Sequence, residues 1–174
     1  MRRPDHHIIP HMRPFILFLA VVAFSTSALA AGVYQNPDEL RLVQTMSVRV
    51  IDQVKNGCLQ NPKELKAEAE RILQQSGINI SSEPSEQDHR ILIAAAGGEV
   101  KLPNSQVEFC MTTVDVNVAR FIRAPEGHLV AVWAYKLGAL VGGASKPKSQ
   151  ENLRAAVSQI VGDLANEIQK ARGN

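Results

Sequence analysis

The sequence contains VEFCMTTVDVNVARFIR at residues 107–123 and, after the short connection APEG, HLVAVWAYKLGAL at residues 128–140. Both stretches alternate apolar residues with other residues, and a period of two is typical of a β-strand with one buried face. A short connection with proline and glycine between two such stretches predicts a β-hairpin. The residues predicted to share one face are Cys110, Thr112, Val114, Val116 and Val118 in the first strand, and Leu129, Ala131, Trp133, Tyr135 and Leu137 in the second.

The preceding part of the chain predicts further strands and one helix. Residues 40–54 alternate around Met46 and Val50, residues 78–81 suit a short strand, and residues 90–96 form a continuous apolar run that suits a buried strand. Residues 61–78 begin with Asn61 as a helix N-cap and Pro62 in the first turn, and the helix is expected to end at Gly77. Its apolar stripe comprises Leu65, Ala69, Ile72 and Leu73.

The C-terminal residues predict a second amphipathic helix, capped by Ser149 after a glycine-rich linker. Its apolar stripe comprises Leu153, Ala156, Val157, Ile160, Val161, Leu164 and Ile168. Two helices with one apolar face each need a common partner, and an antiparallel sheet with one apolar face supplies it. The sequence therefore predicts an α+β fold: a two-layer sandwich in which a mostly antiparallel sheet carries both amphipathic helices on one face.

The N-terminus has the three parts of a secretory signal peptide. Arg2, Arg3 and Arg13 precede an apolar run at residues 15–24, and small residues follow at Ala28 and Ala30. We expect residues 1–30 to be cleaved between Ala30 and Ala31, with translation starting at Met1 or Met12. The alternative is a membrane anchor, but the apolar run is shorter than the roughly 20 residues that a spanning helix needs. Residues 31–39 are expected to form a flexible leader, and residues 40–174 a single α+β domain.

Charge gives no sign of a nucleic-acid or membrane partner. The 19 basic and 17 acidic residues of the chain include three basic and one acidic residue in the predicted signal peptide, which leaves 16 of each. A near-zero net charge lacks the basic surface that nucleic acids and anionic membranes attract. No stable membrane span is expected after signal cleavage.

Two cysteines, Cys58 and Cys110, are the only ones in the chain. An exported protein meets an oxidising environment, so a Cys58–Cys110 disulfide is the favoured interpretation. Two buried free thiols and a reactive cysteine are the alternatives. The sequence has no CxxC pair, and two cysteines without nearby histidines make a poor metal site, so no metal and no cofactor are predicted.

The usual catalytic motifs are missing from the sequence. It has no GxSxG nucleophile elbow and no HExxH helix, and its glycine-rich stretch at residues 138–148 lacks the ending of a phosphate-binding loop. His89 and His128 are the only histidines after the predicted signal peptide, and either could join a dispersed hydrolase site. No catalytic residue is predicted.

Two places are candidates for binding. The predicted hairpin tip carries Arg120, Phe121, Arg123 and His128, which could contact an anionic or protein partner if the hairpin extends beyond the helices, although a solvated loop is the simpler interpretation. Trp133 and Tyr135 stand two residues apart on one strand. They predict core packing or, alternatively, an aromatic binding face on an uncovered side of the sheet.

The stretches ELKAEAERILQQSGINI and VDVNVARFIRAPEGHLVAVWAYKLGALVGG, followed by an amphipathic helix, resemble small exported bacterial proteins. The order of elements is similar to the N-terminal domain of TolB and to envelope-assembly lipoproteins with that fold, over most of residues 40–172. The chain lacks the lipid-attachment cysteine of those lipoproteins. The resemblance implies a role in binding and assembly, and it assigns no catalytic residue to this chain.

These observations together predict a non-enzymatic periplasmic or secreted protein that binds or scaffolds an envelope protein partner. An exported hydrolase with a dispersed site is one alternative, and a small-ligand carrier that uses the aromatic face is another. No oligomeric state is predicted.

Overall fold

The computed structural model describes residues 30–103 and 108–173. These residues form one six-stranded sheet and three helices. In chain order the elements are β1 (Ala30–Gln35), α1 (Pro37–Arg41), β2 (Thr45–Val54), α2 (Pro62–Gln75), β3 (Asn79–Ile80), β4 (His89–Lys101), β5 (Glu108–Arg123), β6 (Leu129–Gly143) and α3 (Lys146–Arg172). The predicted signal peptide lies outside the described residues, apart from Ala30.

The strand order across the sheet is β1-β6-β5-β4-β2-β3. The long β5–β6 hairpin and its neighbours β1 and β4 pair antiparallel, whereas β2 pairs parallel with both β4 and β3. The parallel pairing between β2 and β4 arises because helix α2 lies in the connection between them, as a parallel crossover requires. The predicted α+β fold, with a mostly antiparallel sheet and two amphipathic helices on one face, is confirmed.

The core lies between the sheet and helices α2 and α3. The even-numbered residues of β5 point toward the helices, since Val114, Val116 and Val118 are all fully buried. The predicted helix stripes meet them, because α2 buries Leu65, Ala69 and Leu73, and α3 buries Leu153, Val157, Ile160, Val161, Leu164 and Ile168. Burying this apolar area is the main free energy that holds the helices on the sheet.

A buried carboxylate links the two helices at their polar edge. Glu68 of α2 accepts hydrogen bonds from Arg71 of the same helix at 2.6 Å and from Arg154 of α3 at 3.1 Å. These two guanidinium groups, Arg71 first, lower the pKa of Glu68 to about 2, against the opposing effect of its burial. The carboxylate is therefore ionised and paired over the physiological pH range.

The segment 31–39, for which the sequence predicts a flexible leader, takes part in two secondary-structure elements. It forms β1, which pairs with the outer edge of β6, and the first residues of α1, where Asn36 caps the helix by accepting from the Glu39 amide. Leu40 and Val43 then enter the core. The sequence prediction missed this because the partner strand β6 lies about 100 residues away, and the segment has no alternating pattern of its own.

Helix α3 begins earlier than predicted. Its N-cap is Ser145, whose hydroxyl accepts from the Lys148 amide at 3.3 Å, and Pro147 occupies the first turn. Ser149, the predicted cap, lies inside the first turn and is fully buried. A Cβ on Gly143 would lie 2.5 Å from the Ser149 amide nitrogen, so the absence of a side chain at Gly143 permits this close approach of strand and helix.

Cys58 and Cys110 form a disulfide bond, with their Cα atoms 5.7 Å apart and both residues buried. Cys110 lies on the helix-facing side of β5, and Cys58 lies in the loop between β2 and α2. The bond therefore ties the start of α2 to the central part of the sheet, across a sequence separation of 52 residues.

Removing the disulfide is expected to destabilise the protein. Closing a loop of this length contributes about 4 kcal/mol on the chain-entropy model, so the double variant Cys58→Ala, Cys110→Ala should lose a comparable part of the free energy of unfolding. Urea unfolding monitored by circular dichroism measures the difference. The wild-type protein under a reductant is the control, and equal unfolding midpoints for the oxidised wild type and the variant would contradict the prediction.

Candidate functional site

The helices leave one face of the sheet uncovered. On this side, which we call the open face, the described residues place no helix, and several large apolar side chains reach solvent. Among them Met111 of β5 is 42% exposed, and Trp133 and Leu140 of β6 are 38% and 43% exposed. Exposed apolar side chains gathered on one face are typical of a surface that contacts another molecule.

A β-bulge in β6 decides which aromatic residue reaches the open face. Val118 pairs with Tyr135, whereas the next residue, Ala119, pairs with Trp133, so Ala134 is an extra residue in β6. The extra residue reverses the alternation of side chains along the strand. Tyr135 is therefore 1% exposed and faces the helices, while Trp133 faces outward.

The predicted aromatic face made by Trp133 and Tyr135 is thus wrong, because the two rings lie on opposite sides of the sheet. Burial raises the pKa of Tyr135 to about 12, and Asp163 and Glu167 shift it in the same direction. Tyr135 is a neutral core residue. Trp133 alone belongs to the open face, with the Lys136 ammonium 3.9 Å from its ring centroid.

A groove of about 450 Å³ lies on the open face, at the end of the sheet where β4 begins. Strands β2, β4, β5 and β6 form its floor, and the loop between β3 and β4 forms one wall through Ser82 and Pro84. The side chains that matter most for its chemistry are Arg49, Arg90, Leu92, Phe121 and Trp133. We call this the arginine–aromatic groove.

The groove combines positive charge with apolar surface. Arg90 lies over the Phe121 ring, 5.0 Å from its centroid, which is a cation–π contact. Neither Arg49 nor Arg90 makes an ion pair with any residue that the structure describes, and the residues that line the groove include no carboxylate. Unpaired guanidinium groups beside aromatic rings suit a ligand that is both anionic and apolar.

The four residues of the predicted hairpin tip do not form one surface. Arg120 and Phe121 are neighbours in β5 and therefore point to opposite faces, Arg120 toward α1 and Phe121 into the groove. Arg123 donates to Glu86 at 2.7 Å and to the Gly127 carbonyl at 2.9 Å, which holds it along the turn. His128 is exposed. Only Phe121 joins the arginine–aromatic groove.

Behind the groove, on the helix side of the sheet, Glu39 of α1 forms a buried ionic cluster. Arg120 donates to both carboxylate oxygens of Glu39, at 2.6 and 3.0 Å. The His89 Nε2 atom lies 3.7 Å from Glu39, too far for a hydrogen bond, and it has no hydrogen-bond partner among the described residues. The hydrogen bonds from Arg120 lower the pKa of Glu39, and burial opposes this shift.

His89 does not have the environment of a catalytic base. It is 2% exposed, so a substrate could reach it only if α1 moved. Burial lowers the pKa of His89, Glu39 opposes this effect, and Arg120 adds to it. The neutral imidazole therefore fits the position as a core residue. The histidine and carboxylate that the hydrolase alternative requires are close together, but they lie on the opposite side of the sheet from the groove.

The sequence prediction missed Arg49 and Arg90. Arg49 occupies a polar position of an alternating strand, which usually faces water, and Arg90 begins a run that predicts a buried strand. They become neighbours only because β2 and β4 pair in parallel, with Ser47 opposite Arg90 and Arg49 opposite Leu92. The available signal would have been two arginines on the same face of two strands that are neighbours in the sheet, provided that the strand order was known.

Within residues 30–103 and 108–173, no group of three or more histidine, cysteine, aspartate or glutamate residues is arranged to hold a metal ion. In the same residues, no helix has both the length and the apolar character to cross a membrane.

Comparison with known proteins gives structural similarity only. No protein-family model matches the chain, and a comparison with curated proteins finds no significant match. The PelC dodecamer from Paraburkholderia phytofirmans is similar in structure at 12% identity, covering 81% of this chain and 98% of that one, with a TM-score of 0.43. A minor lipoprotein from Acinetobacter baumannii matches at 10% identity, 76% and 95% coverage, and a TM-score of 0.43.

A hypothetical protein from Chlamydia trachomatis is also similar, at 12% identity, 70% and 98% coverage, and a TM-score of 0.39. At these identities and TM-scores the similarity concerns the structure alone.

The two arginines of the hairpin should differ sharply in their effect on stability. Arg120→Met leaves the Glu39 carboxylate buried without its main partner, so a loss of about 2 kcal/mol in the free energy of unfolding is expected. Arg123→Met is the matched control, because its ion pair with Glu86 is exposed and such pairs contribute little. Urea unfolding of both variants tests this, and equal losses would contradict the assignment of Arg120 to a buried ion pair.

Stability should also depend on pH through His89. Because its pKa is lowered in the folded state, the unfolded chain binds more protons, and the protein should lose stability as the pH falls below about 6.5. Glu39 adds to the loss only below about 4.5, because its folded pKa is lowered from that value. The slope of unfolding free energy between these two pH values therefore reports on His89.

The variant His89→Gln should flatten that slope, and His128→Gln, at an exposed position, should leave it unchanged. Urea titrations at a series of pH values measure both. An unchanged slope in His89→Gln would show that His89 is already protonated in the folded protein.

Proposed function

We propose that this protein is a non-enzymatic binding module of the cell envelope, which holds a protein partner on the open face of its sheet. The observation that carries the proposal is the arginine–aromatic groove. Its two guanidinium groups, Arg49 and Arg90, have no ion-pair partner among the described residues and lie beside Phe121 and the exposed ring of Trp133. Such groups are enriched at the centres of protein interfaces, where aromatic residues and arginine contribute most of the binding energy.

The proposed location outside the cytoplasm has two supports. The first 30 residues have the pattern of a secretory signal peptide, and Cys58 and Cys110 are placed to form a disulfide bond. Disulfide bonds form and persist in exported proteins and are rare in the cytosol.

A protein partner fits the open face better than a small molecule does. Apolar side chains are also exposed beyond the groove on the open face, at Met111 and Leu140. A single small ligand would leave these side chains uncovered, whereas a protein surface could bury them together with the groove.

Non-enzymatic function is supported by the separation of the titratable groups from the groove. The groups with lowered pKa values near this end of the sheet, Glu39 and His89, are buried on the helix side. Catalytic sites usually bring such groups into an accessible cleft. In the groove itself, the ionisable side chains are arginines, which do not exchange protons near neutral pH.

A small-ligand carrier is the second candidate, and the size of the groove favours it. A volume of about 450 Å³ falls in the range of small-molecule pockets. Trp133 is the only tryptophan of the chain, so a ligand in the groove would change the intrinsic fluorescence of the protein.

Site-specific photocrosslinking in the native envelope tests the proposal. A benzophenone amino acid placed at Trp133 or Met111 should give the same discrete protein adduct, and one placed at Glu151, on the exposed side of α3, should not. The adduct should disappear when the protein that carries the crosslinking amino acid also carries Arg49→Gln and Arg90→Gln, because the partner then loses its charged contacts.

The matched control combines Lys148→Gln with Lys170→Gln, which removes the same charge from α3 and should leave the adduct unchanged. Crosslinks that form only from Glu151, or that survive the loss of both groove arginines, would refute a binding site on the open face. A fluorescence change with envelope extract that has been stripped of protein would instead favour the small-ligand carrier.

A further inference from the structure

The outer edge of β2 is largely unpaired. Strand β3 pairs only with Thr45 and Met46, the first residues of β2. Among the residues that the structure describes, no strand pairs with residues 47–54 on that side. The other side of β2 pairs with β4 along its whole length from Met46 to Val54. An unpaired strand edge is a template for another extended segment.

The pairing pattern identifies the backbone groups that this edge presents. The Met46 carbonyl accepts from the Ser81 amide at 2.9 Å on the outer side, and the Lys55 amide donates to the Gly97 carbonyl at 2.9 Å on the β4 side. In a parallel pair, alternate residues bond to the same neighbour, so the even-numbered residues of β2 face outward. The N–H and C=O groups of Val48, Val50 and Asp52 therefore point away from β4.

The next amide that points outward, that of Val54, already has a hydrogen-bond acceptor. Val54 donates its N–H to the Asp52 side chain at 2.9 Å, which ends the available edge. The free edge thus extends over Val48, Val50 and Asp52, a length that suits a short added strand.

A second groove runs along this edge on the helix side. It has a volume of about 300 Å³ and is lined by Val48, Val50, Pro62, Lys63 and Lys66, together with Arg49. On the other side of the same edge lies the arginine–aromatic groove, which shares Val48 and Arg49 with it. A strand added to β2 would therefore have an apolar surface beside one of its faces and arginines beside the other.

The residues that line the two grooves carry positive charge on both sides of the edge and include no carboxylate. Arg49, Arg90 and Lys63 form no ion pair with the described residues, and Lys66 has one partner among them, the half-buried Glu70, at 3.6 Å. The nearest carboxylate on the strand itself, Asp52, already accepts the Val54 amide.

We propose that an extended, acidic segment of the partner protein adds to β2 as a seventh strand. Its backbone pairs with the outward groups of Val48, Val50 and Asp52. Its acidic side chains point to the open face beside Arg49, and its apolar side chains point to the helix side beside Pro62. Main-chain pairing supplies affinity and the alternating side chains supply specificity, as in other β-strand additions. This inference rests on the proposed function, because it states how the partner engages the protein.

A second copy of the chain fits this edge poorly. Pairing of two β2 edges would bring Arg49, Lys63 and Lys66 of one copy close to the same three cations of the other. Like charges placed opposite one another in neighbouring strands destabilise the pairing. Positive charge on an edge strand guards against self-association while leaving the edge open to an acidic segment.

The test compares Val50→Pro with Val50→Ala in the whole protein. Both variants lose the same apolar side chain, but only proline also removes the outward N–H and places its ring in the path of an added strand. The probe is a peptide of about eight residues in which glutamate and valine alternate, a length typical of a strand. A peptide of equal length that alternates lysine and valine is the charge control. Binding is followed by the fluorescence of Trp133 and by fluorescence anisotropy of labelled peptide.

We expect the glutamate–valine peptide to bind the wild type and Val50→Ala, and to bind Val50→Pro about tenfold more weakly because a backbone hydrogen bond is lost and the edge is blocked. The lysine–valine peptide should not bind. Hydrogen exchange measured by NMR should show that the peptide slows exchange of the Val48, Val50 and Asp52 amides. Circular dichroism of both variants verifies that they are folded.

Equal affinity for Val50→Pro and Val50→Ala, or no slowing of these three amides, would overturn the edge assignment. If the protein forms a dimer and Val50→Pro abolishes it, the strand that pairs with the β2 edge belongs to a second copy of the chain and not to an acidic segment of another protein. The result of this edge test can be distinguished from the result of the photocrosslinking test of the proposed function. If Val50→Pro leaves the photocrosslink from position 133 intact, the open face still binds a partner, but the partner does not pair with β2.

Discussion

Helices cover one face of the sheet and leave the other in contact with water, and the rest of the structure depends on that difference. Helices α2 and α3 cover one face and bury the valines of β5 under their apolar stripes. Because side chains alternate along a strand, the residues before and after each core residue of β5 point to the other face. The open face is thus a direct consequence of how the core is built, and its apolar side chains remain in contact with water.

The bulge at Ala134 adjusts this arrangement at one end of the sheet. One extra residue in β6 places Tyr135 in the core and Trp133 on the open face, although the two are separated by a single residue. Without the extra residue, both rings would face the same side. The bulge lies where the long hairpin passes the groove, and bulges are frequent at positions where a side chain is redirected for binding.

Charge is distributed unevenly between the two faces. On the helix side, buried carboxylates have cationic partners: Glu39 pairs with Arg120, and Glu68 pairs with Arg71 and Arg154. On the open face, Arg49 and Arg90 lack such partners within the described residues. A charge that is buried must be compensated within the fold, whereas an exposed one is free to be compensated by another molecule. This asymmetry supports a binding role for the open face.

The sequence by itself determined the α+β class, the two helices and their buried stripes, and the long hairpin. These features follow from local periodicity and from residues that begin or end a helix, such as Pro62 in the first turn of α2 and Gly77 after its end, which act within a few residues. Tertiary structure alone decided the rest. The pairing of β1 with β6, the parallel register that brings Arg49 near Arg90, and the opposite placement of Trp133 and Tyr135 all depend on strands distant in sequence. Such contacts produce no pattern in the local sequence, because they depend on how the whole sheet packs.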